Sequence, residues 1–211
     1  MLARIAALAA GLAVAACSVV GDRRGTEEPP FEVVAQVGTV EIRRYPSRIA
    51  AETDTAGDAE EARNAGFRRL AGYIFGANRG AAKIAMTAPV AQAPTEGARI
   101  AMTAPVAQEA AGPGRWSVRF FMPAQWTLAT LPVPNDPAVR LVEVPGETMA
   151  ALRFTGSRDA GAVAARQAEL RQALAGSAWT PQADPLAWFY DPPWTLPWLR
   201  RNEVAVRVSG G

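Results

Sequence analysis

The sequence has no histidine, and its single cysteine is Cys17 among 211 residues. A Ser-His-Asp triad, a Cys-His dyad, an HExxH helix and every zinc site made of cysteine and histidine are therefore excluded. Intramolecular disulfides and cysteine-ligated iron–sulfur clusters go with them. Lysine is nearly absent too: Lys83 stands alone against 21 arginines. The formal net charge is only +2, with 20 acidic residues interspersed, which does not suit a nucleic-acid binder. Hydrophobic residues make up 49% and charged ones 20%, a balance that excludes wholesale disorder. No pair of acids stands out for acid–base work, so no catalytic and no metal-ligating residue is assigned.

The first 17 residues read MLARIAALAAGLAVAAC. Arg4 gives a short positive region, and the 12 residues from Ile5 to Ala16 are apolar. That run is too short for a bilayer, which takes about 20 residues, and suits a signal h-region. Val14-Ala15-Ala16-Cys17 resembles a bacterial lipobox, whose cysteine is acylated and becomes the first residue. The alternative is an ordinary signal peptide with Cys17 incidental. The expectation is a signal peptide at 1–16, a lipid-anchored tether at 17–30 and a folded domain at 31–208. The tether residues 18–30, SVVGDRRGTEEPP, carry no apolar period and reach at most about 45 Å. The membrane partner is thus reached through Cys17. Ser18 rather than Asp after the cysteine favours the outer membrane, facing the periplasm.

Two stretches share one plan. Residues 40–46 alternate apolar and charged side chains, the period-two signature of a half-buried strand, and Pro46-Ser47 reads as a hairpin turn into 48–55. Residues 139–146 followed by 148–155 repeat the arrangement, with Pro46 and Pro145 placed 99 residues apart. A helix is predicted after each hairpin. From Asp58, the residues Ala59, Ala62, Gly66, Phe67, Leu70, Tyr73 and Ile74 form one apolar stripe. Asp58 serves as its cap, with Glu60 and Glu61 in the first turn. Arg63, Arg68 and Arg69 fall off the stripe and read most simply as a solvated face. From Asp159, Ala160, Val163, Leu170, Ala173 and Leu174 repeat the pattern, closed by Gly176. The repetition predicts an α+β domain of two related halves about a pseudo-twofold axis.

Between the halves, residues 84–92 read IAMTAPVAQ and residues 100–108 read IAMTAPVAQ again. Pro89 and Pro105 prevent either copy from being helical, so each reads as an extended segment ending at a turn or edge. Residues 116–122 alternate as a strand, 123–138 carry four prolines as a long loop, and 203–208 close the chain as a strand. Trp188, Phe189, Tyr190, Trp194 and Trp198 crowd a proline-rich stretch near the end.

These segments carry a family resemblance. Lys83-Ile-Ala-Met-Thr-Ala-Pro-Val90 resembles the central signature of the SOUL haem-binding protein family. Tyr190-Asp-Pro-Pro-Trp194, Pro197 and Arg200-Arg-Asn-Glu-Val204 resemble its C-terminal signature, and Phe31-Glu-Val-Val with Val40-Glu-Ile-Arg-Arg-Tyr45 fits its opening. The resemblance covers about residues 31–208. It implies a distorted eight-stranded antiparallel barrel with two flanking helices, made of two βαββ-like halves. It also implies binding of haem or a related tetrapyrrole, either through a histidine or in an apolar groove without iron ligation. Without histidine only the second mode is open, unless Tyr45, Tyr73, Tyr190, Met86, Met102, Met122 or Met149 ligates the iron.

An apolar tetrapyrrole groove needs flat hydrophobic walls and one or two cations for propionates. Arg63, Phe67, Arg68, Leu70 and Tyr73 of the first helix, Met86 and Pro89 of the signature segment, and Trp194 are the candidate ligand-binding residues. The plainer reading is that the aromatics and Leu70 are core and the arginines solvated. The expected function is non-enzymatic tetrapyrrole binding by an envelope lipoprotein. A binder of another amphipathic small molecule and a ligand-free envelope interaction protein remain as alternatives. The oligomeric state is not legible.

Overall fold

The computed structural model describes residues 26–94, 114–192 and 194–211. The signal segment, Cys17 and the second IAMTAPVAQ copy with Met102 lie outside the described residues. The strands are β1 (Glu32–Val37), β2 (Val40–Tyr45), β3 (Arg48–Ala56), β4 (Val90–Pro94), β5 (Arg115–Phe121), β6 (Arg140–Val144), β7 (Glu147–Phe154), β8 (Trp179–Pro181), β9 (Leu186–Phe189) and β10 (Asn202–Gly210). The helices are α1 (Ala59–Ile74) and α2 (Ala160–Leu174), with a 3-10 turn at Pro197–Leu199. The fold is α+β, with one large antiparallel sheet.

Strand order is β1-β2-β7-β10-β9-β4-β5-β3-β6, with β8 added beside β10. Without β1 and β8 the order is symmetric about the central β4–β9 pair. β2 corresponds to β6, β3 to β7, β4 to β9 and β5 to β10, and α1 to α2. The resemblance implied eight strands; the sheet among the described residues has ten, eight of them in this symmetric set with β1 and β8 added. No hydrogen-bonded pair among the described residues joins β1 to β6, so the pairing is one open path.

The hairpin expectation is overturned. β2 pairs with β1 and β7, not with β3, while β3 pairs with β5 and β6. Likewise β6 and β7 do not pair with each other. A two-residue hairpin needs positive φ at its first central residue, which the ring of Pro46 or Pro145 forbids. The chain instead bends at each proline and crosses from beside the other half's strand back to its own half: β2 lies on β7 and β3 on β5, β6 on β3 and β7 on β10. The two bends touch: a Cβ on Gly146 would lie 3.3 Å from the Tyr45 carbonyl. Ser47 donates a 2.6 Å hydrogen bond to Glu143, and Arg48 pairs with Glu147, its counterpart at the 99-residue offset.

Both helices begin as their sequences direct. The Asp58 carboxylate accepts from the amides of Glu60 and Glu61 at 2.8 Å, and Asp159 from Ala162 at 2.8 Å. Gly176, with φ of 78°, ends α2 in the left-handed region. α1 buries Leu70, Tyr73 and Ile74 against Val118, Phe120 and Val90. α2 buries Leu170 and Leu174 against Val204, Val206 and Leu152. Each fully buried aliphatic side chain contributes roughly 1.5–3 kcal/mol. Successive strand residues alternate between these two helix-covered clusters and a third on the opposite face, formed by Tyr45, Phe121, Met149, Ala151, Trp188 and Ala205. The first signature copy does not end at an edge: β4 is central, between β5 and β9. Pro89 stands one residue before it, where a missing N–H removes no ladder bond.

α1 lies close to the sheet because residue 66 has no side chain. A Cβ there would come within 2.6 Å of Val118 Cγ2, and Val118 is wholly buried. Gly66→Ala is therefore expected to destabilise by about 1–3 kcal/mol, the overpacking term exceeding the gain in helix propensity. Urea denaturation checks this; a stability equal to or above wild type would contradict the close approach.

Candidate functional site

A groove runs between the N-terminal end of α1 and the length of α2, over the central strand pair. Its volume is about 370 Å³. β9 supplies Ala187 and Phe189 to its floor, β4 supplies Gln92, and Ala59, Ala160, Val163 and Ala164 give apolar walls. Most polar groups at its margin are satisfied within the protein. Gln92 donates to the Ala59 carbonyl at 2.7 Å, Gln167 to Pro185 at 2.8 Å, Trp116 to Gly57 at 3.2 Å, and Arg171 pairs with Asp184 at 2.8 Å.

Arg63 and Arg158 differ from these. Arg63 is 8% exposed. Its guanidinium lies 5.0 Å from the Phe189 ring centroid, and that of Arg158 lies 5.7 Å from the same ring. Arg63 donates to the Arg158 carbonyl at 3.4 Å, and Arg158 to the Asp191 carbonyl at 3.1 Å. Neither forms an ion pair among the described residues. Burial first, then the neighbouring charges of Arg63 and Arg200, lower the Arg158 pKa to about 10. Burial is also the main cause lowering that of Arg63. Glu60 and Asp58 act on Arg63, and Glu60 and Asp191 on Arg158, from beyond ion-pair distance, so the two cations stand together over the Phe189 face with no carboxylate in contact among the described residues.

The opposite face has a different charge cluster. Glu203, 0% exposed, accepts from Arg43 at 2.7 and 3.1 Å, from Arg201 at 3.0 and 3.1 Å and from the Tyr190 hydroxyl at 2.7 Å. Burial opposes its charge, but Arg43, Arg201 and Tyr190 together hold its pKa below the ordinary carboxylate value. The hollow beside this cluster, walled by Phe31, Tyr45 and Trp188, measures only about 10 Å³. This charge is satisfied and has no room for a ligand.

Of the eight ligand-binding residues proposed from sequence, only Arg63 lines the groove. It is not solvated as expected, because the first turn of α1 faces α2 rather than water. Phe67 packs on the α1 core with its ring edge toward Phe120 at 5.3 Å. Leu70 is wholly buried and Met86 packs against the same cluster. Tyr73 donates to the Pro132 carbonyl at 2.9 Å, and burial pushes its pKa up to about 12. Arg68 and Tyr73 border a broad shallow hollow of about 490 Å³, with the Arg69–Asp136 ion pair between its walls. Pro89 lies beside Trp188. Trp194 is 61% exposed on a loop. Arg158 and Phe189 were missed: Arg158 directly precedes the cap of α2, and Phe189 was legible only as one of a cluster of aromatics.

No tyrosine or methionine lines the groove. Tyr190 and Tyr73 are committed to Glu203 and Pro132, while Met149 is 1% exposed. No group of three or more Asp, Glu, Cys or His that could hold a metal occurs among the described residues.

Comparison with known proteins gives the family. The SOUL heme-binding protein family matches residues 26–207. The chain belongs to that family. SOUL proteins are generally binders rather than enzymes. No curated protein matches the sequence. Among solved structures, the SOUL chain is similar to the C-terminal domain of EcmrR, with a TM-score of 0.57 and 11% identity over 82% of this chain and 98% of that one. An uncharacterized conserved protein from Listeria innocua has a TM-score of 0.58 at 13% identity, over 83% and 94%. A hydrolase from the same organism has a TM-score of 0.52 at 14% identity, over 83% and 94%. At these identities the likeness is one of fold alone.

The groove also fits what the family name implies. A tetrapyrrole offers a planar apolar face and carboxylates at one edge. Phe189 and the alanines of the two helices suit the face, and Arg63 with Arg158 suit the carboxylates. No histidine, cysteine, methionine or tyrosine lines the groove and its one carboxylate, Asp184, is paired with Arg171, so the fit is to the macrocycle and its acids.

Proposed function

We propose that this SOUL protein binds haem or a related tetrapyrrole, without catalytic turnover, in the groove between α1 and α2. The observation that carries the reading is the Arg63–Arg158 pair, part-buried over Phe189 with no carboxylate in ion-pair contact among the described residues. Two guanidiniums held together in a part-buried site repel each other, and a dicarboxylate relieves that repulsion while satisfying their donors. Haem, when bound, supplies a planar face and two propionates; Arg63 and Arg158 orient the acids, and the apolar walls exclude water.

We further read the eight symmetric strands as a distorted barrel. That reading is supported by the third cluster, in which residues from both halves meet on the face away from the helices. The protein is exported and anchored through acylated Cys17 on the periplasmic face of the outer membrane. Among the described residues no helix is long and apolar enough to cross a membrane.

The test is an absorbance titration of haemin and of iron-free protoporphyrin IX into the native protein. Both are expected to bind saturably, with dissociation constants within about tenfold of each other, since tenfold corresponds to about 1.4 kcal/mol. Ala164 is an exposed wall residue on a helix, so Ala164→Trp fills the groove without disturbing the core and is expected to abolish both. Binding of haemin alone would replace this reading with iron ligation. Undiminished binding to the Ala164→Trp protein would place the site elsewhere.

A further inference from the structure

The loop that returns the chain to β10 presents large apolar side chains to solvent. Trp194 is 61% exposed, Trp198 67% and Leu199 39%. None of them lines the groove. The loop is nevertheless held in shape. The Leu199 amide donates to the Leu196 carbonyl at 2.9 Å, the Gly156 amide to Pro197 at 2.9 Å, and the Arg200 side chain to Thr195 at 2.7 Å. Pro192 and Pro197 fix their own φ. The backbone from Thr195 to Arg200, from which Trp198 projects, is therefore preformed, and little of its ordering entropy remains to be lost on docking.

The N-terminal segment of the chain arrives at the same end of the molecule. Glu28 accepts two hydrogen bonds from Arg201 Nη1, both at 3.0 Å, and Arg201 lies two residues beyond Leu199. Thr26, the first described residue, is nine residues beyond Cys17, a span of at most about 32 Å. A lipid on Cys17 would thus keep the bilayer surface within reach of the end that carries Trp194 and Trp198. Tryptophan prefers the membrane interface, where its ring is shielded and its N–H stays wet. Arg200 adjoins the indoles in sequence, and arginines near a membrane surface favour anionic headgroups.

We propose that the loop carrying Trp194 and Trp198 docks on an anionic lipid bilayer, inserting both indoles into its headgroup region. The docking fixes how the anchored domain faces the membrane. It rests on the Cys17 anchor of the proposed function for its proximity, not for its chemistry.

The test uses the full-length mature protein and vesicles of equal parts phosphatidylethanolamine and phosphatidylglycerol, the latter brominated on its acyl chains. Two of the six tryptophans are in the loop, so about one third of the emission is expected to be quenched. Trp194→Phe/Trp198→Phe is expected to remove that fraction, and Trp116→Phe to retain it. Both loop positions are exposed, so the double variant is expected to keep the wild-type circular dichroism. Intact mass decides separately whether Cys17 is acylated. If it is not, saturable quenching on adding the same vesicles to the free protein sustains the docking while the anchor reading fails. Absence of lipid-dependent quenching in either case, or quenching that survives in the double variant, overturns the docking.

Discussion

Glu203→Ala is expected to destabilise the protein by about 3–5 kcal/mol, because it strands buried arginine charge. The carboxylate is wholly buried between Arg43 and Arg201 and accepts from Tyr190 as well. Arg43 keeps Glu41 at 2.8 Å and Arg201 keeps Glu28 at 3.0 Å after the substitution, which places the effect toward the lower end of the range. A domain of ordinary stability holds only about 5–15 kcal/mol in all, so urea denaturation should show a large shift in midpoint. Unchanged stability would mean that the cluster contributes nothing net. The same group sets an acid limit. Its folded-state pKa lies below the unfolded value near 4.5, so its contribution is present above that pH and is lost as pH falls through the folded value. Glu52, lowered by Arg140 and Arg119 against the opposing effect of burial, adds to the loss in the same direction.

Arg63→Ala/Arg158→Ala is expected to weaken dicarboxylate porphyrin binding by a factor of about 10²–10⁴. Each charge-assisted hydrogen-bonded contact is worth about 1.5–3 kcal/mol, and each 1.4 kcal/mol is tenfold. The same double variant is expected to keep or gain stability, since the part-buried pair has no carboxylate in ion-pair contact among the described residues, and burial first, then the charge of Arg63, lowers the Arg158 pKa. Loss of binding together with unimpaired folding distinguishes a ligand site from a structural one. A comparable loss of stability would show that the two arginines hold α1 and α2 in place.

The parts of the fold that were legible in sequence are those encoded by local rules. Helix caps at Asp58 and Asp159, the Gly176 terminator and the alternation along β2 and β5 follow from a few adjacent residues. The twofold plan was legible because the halves keep one spacing, Pro46 to Pro145. Strand pairing was not. Pro-Ser and Pro-Gly between two strands read as hairpin turns, yet which strand β2 joins is settled by β7, more than a hundred residues away. The site was less legible still. α1 offers Phe67, Leu70 and Tyr73 at helical spacing, and such a stripe is more often core than ligand wall; here it is core. Arg63 was identifiable as a cation but not as a buried one, because its burial comes from α2 and from Phe189 beneath it. Arg158 had no motif at all. Its partner in the site is 95 residues away, and only the symmetric placement of two helix N-termini brings them together.

The anion site of the groove is tested most directly by titrating the native protein with protoporphyrin IX and with its dimethyl ester. The two ligands share a macrocycle and differ in charge at its edge. Tighter binding of the free diacid by at least about a hundredfold, with the difference gone in Arg63→Ala/Arg158→Ala, is the predicted result, since two charge-assisted contacts of at least 1.5 kcal/mol each are at stake. Equal affinity for acid and ester in the wild-type protein would contradict it.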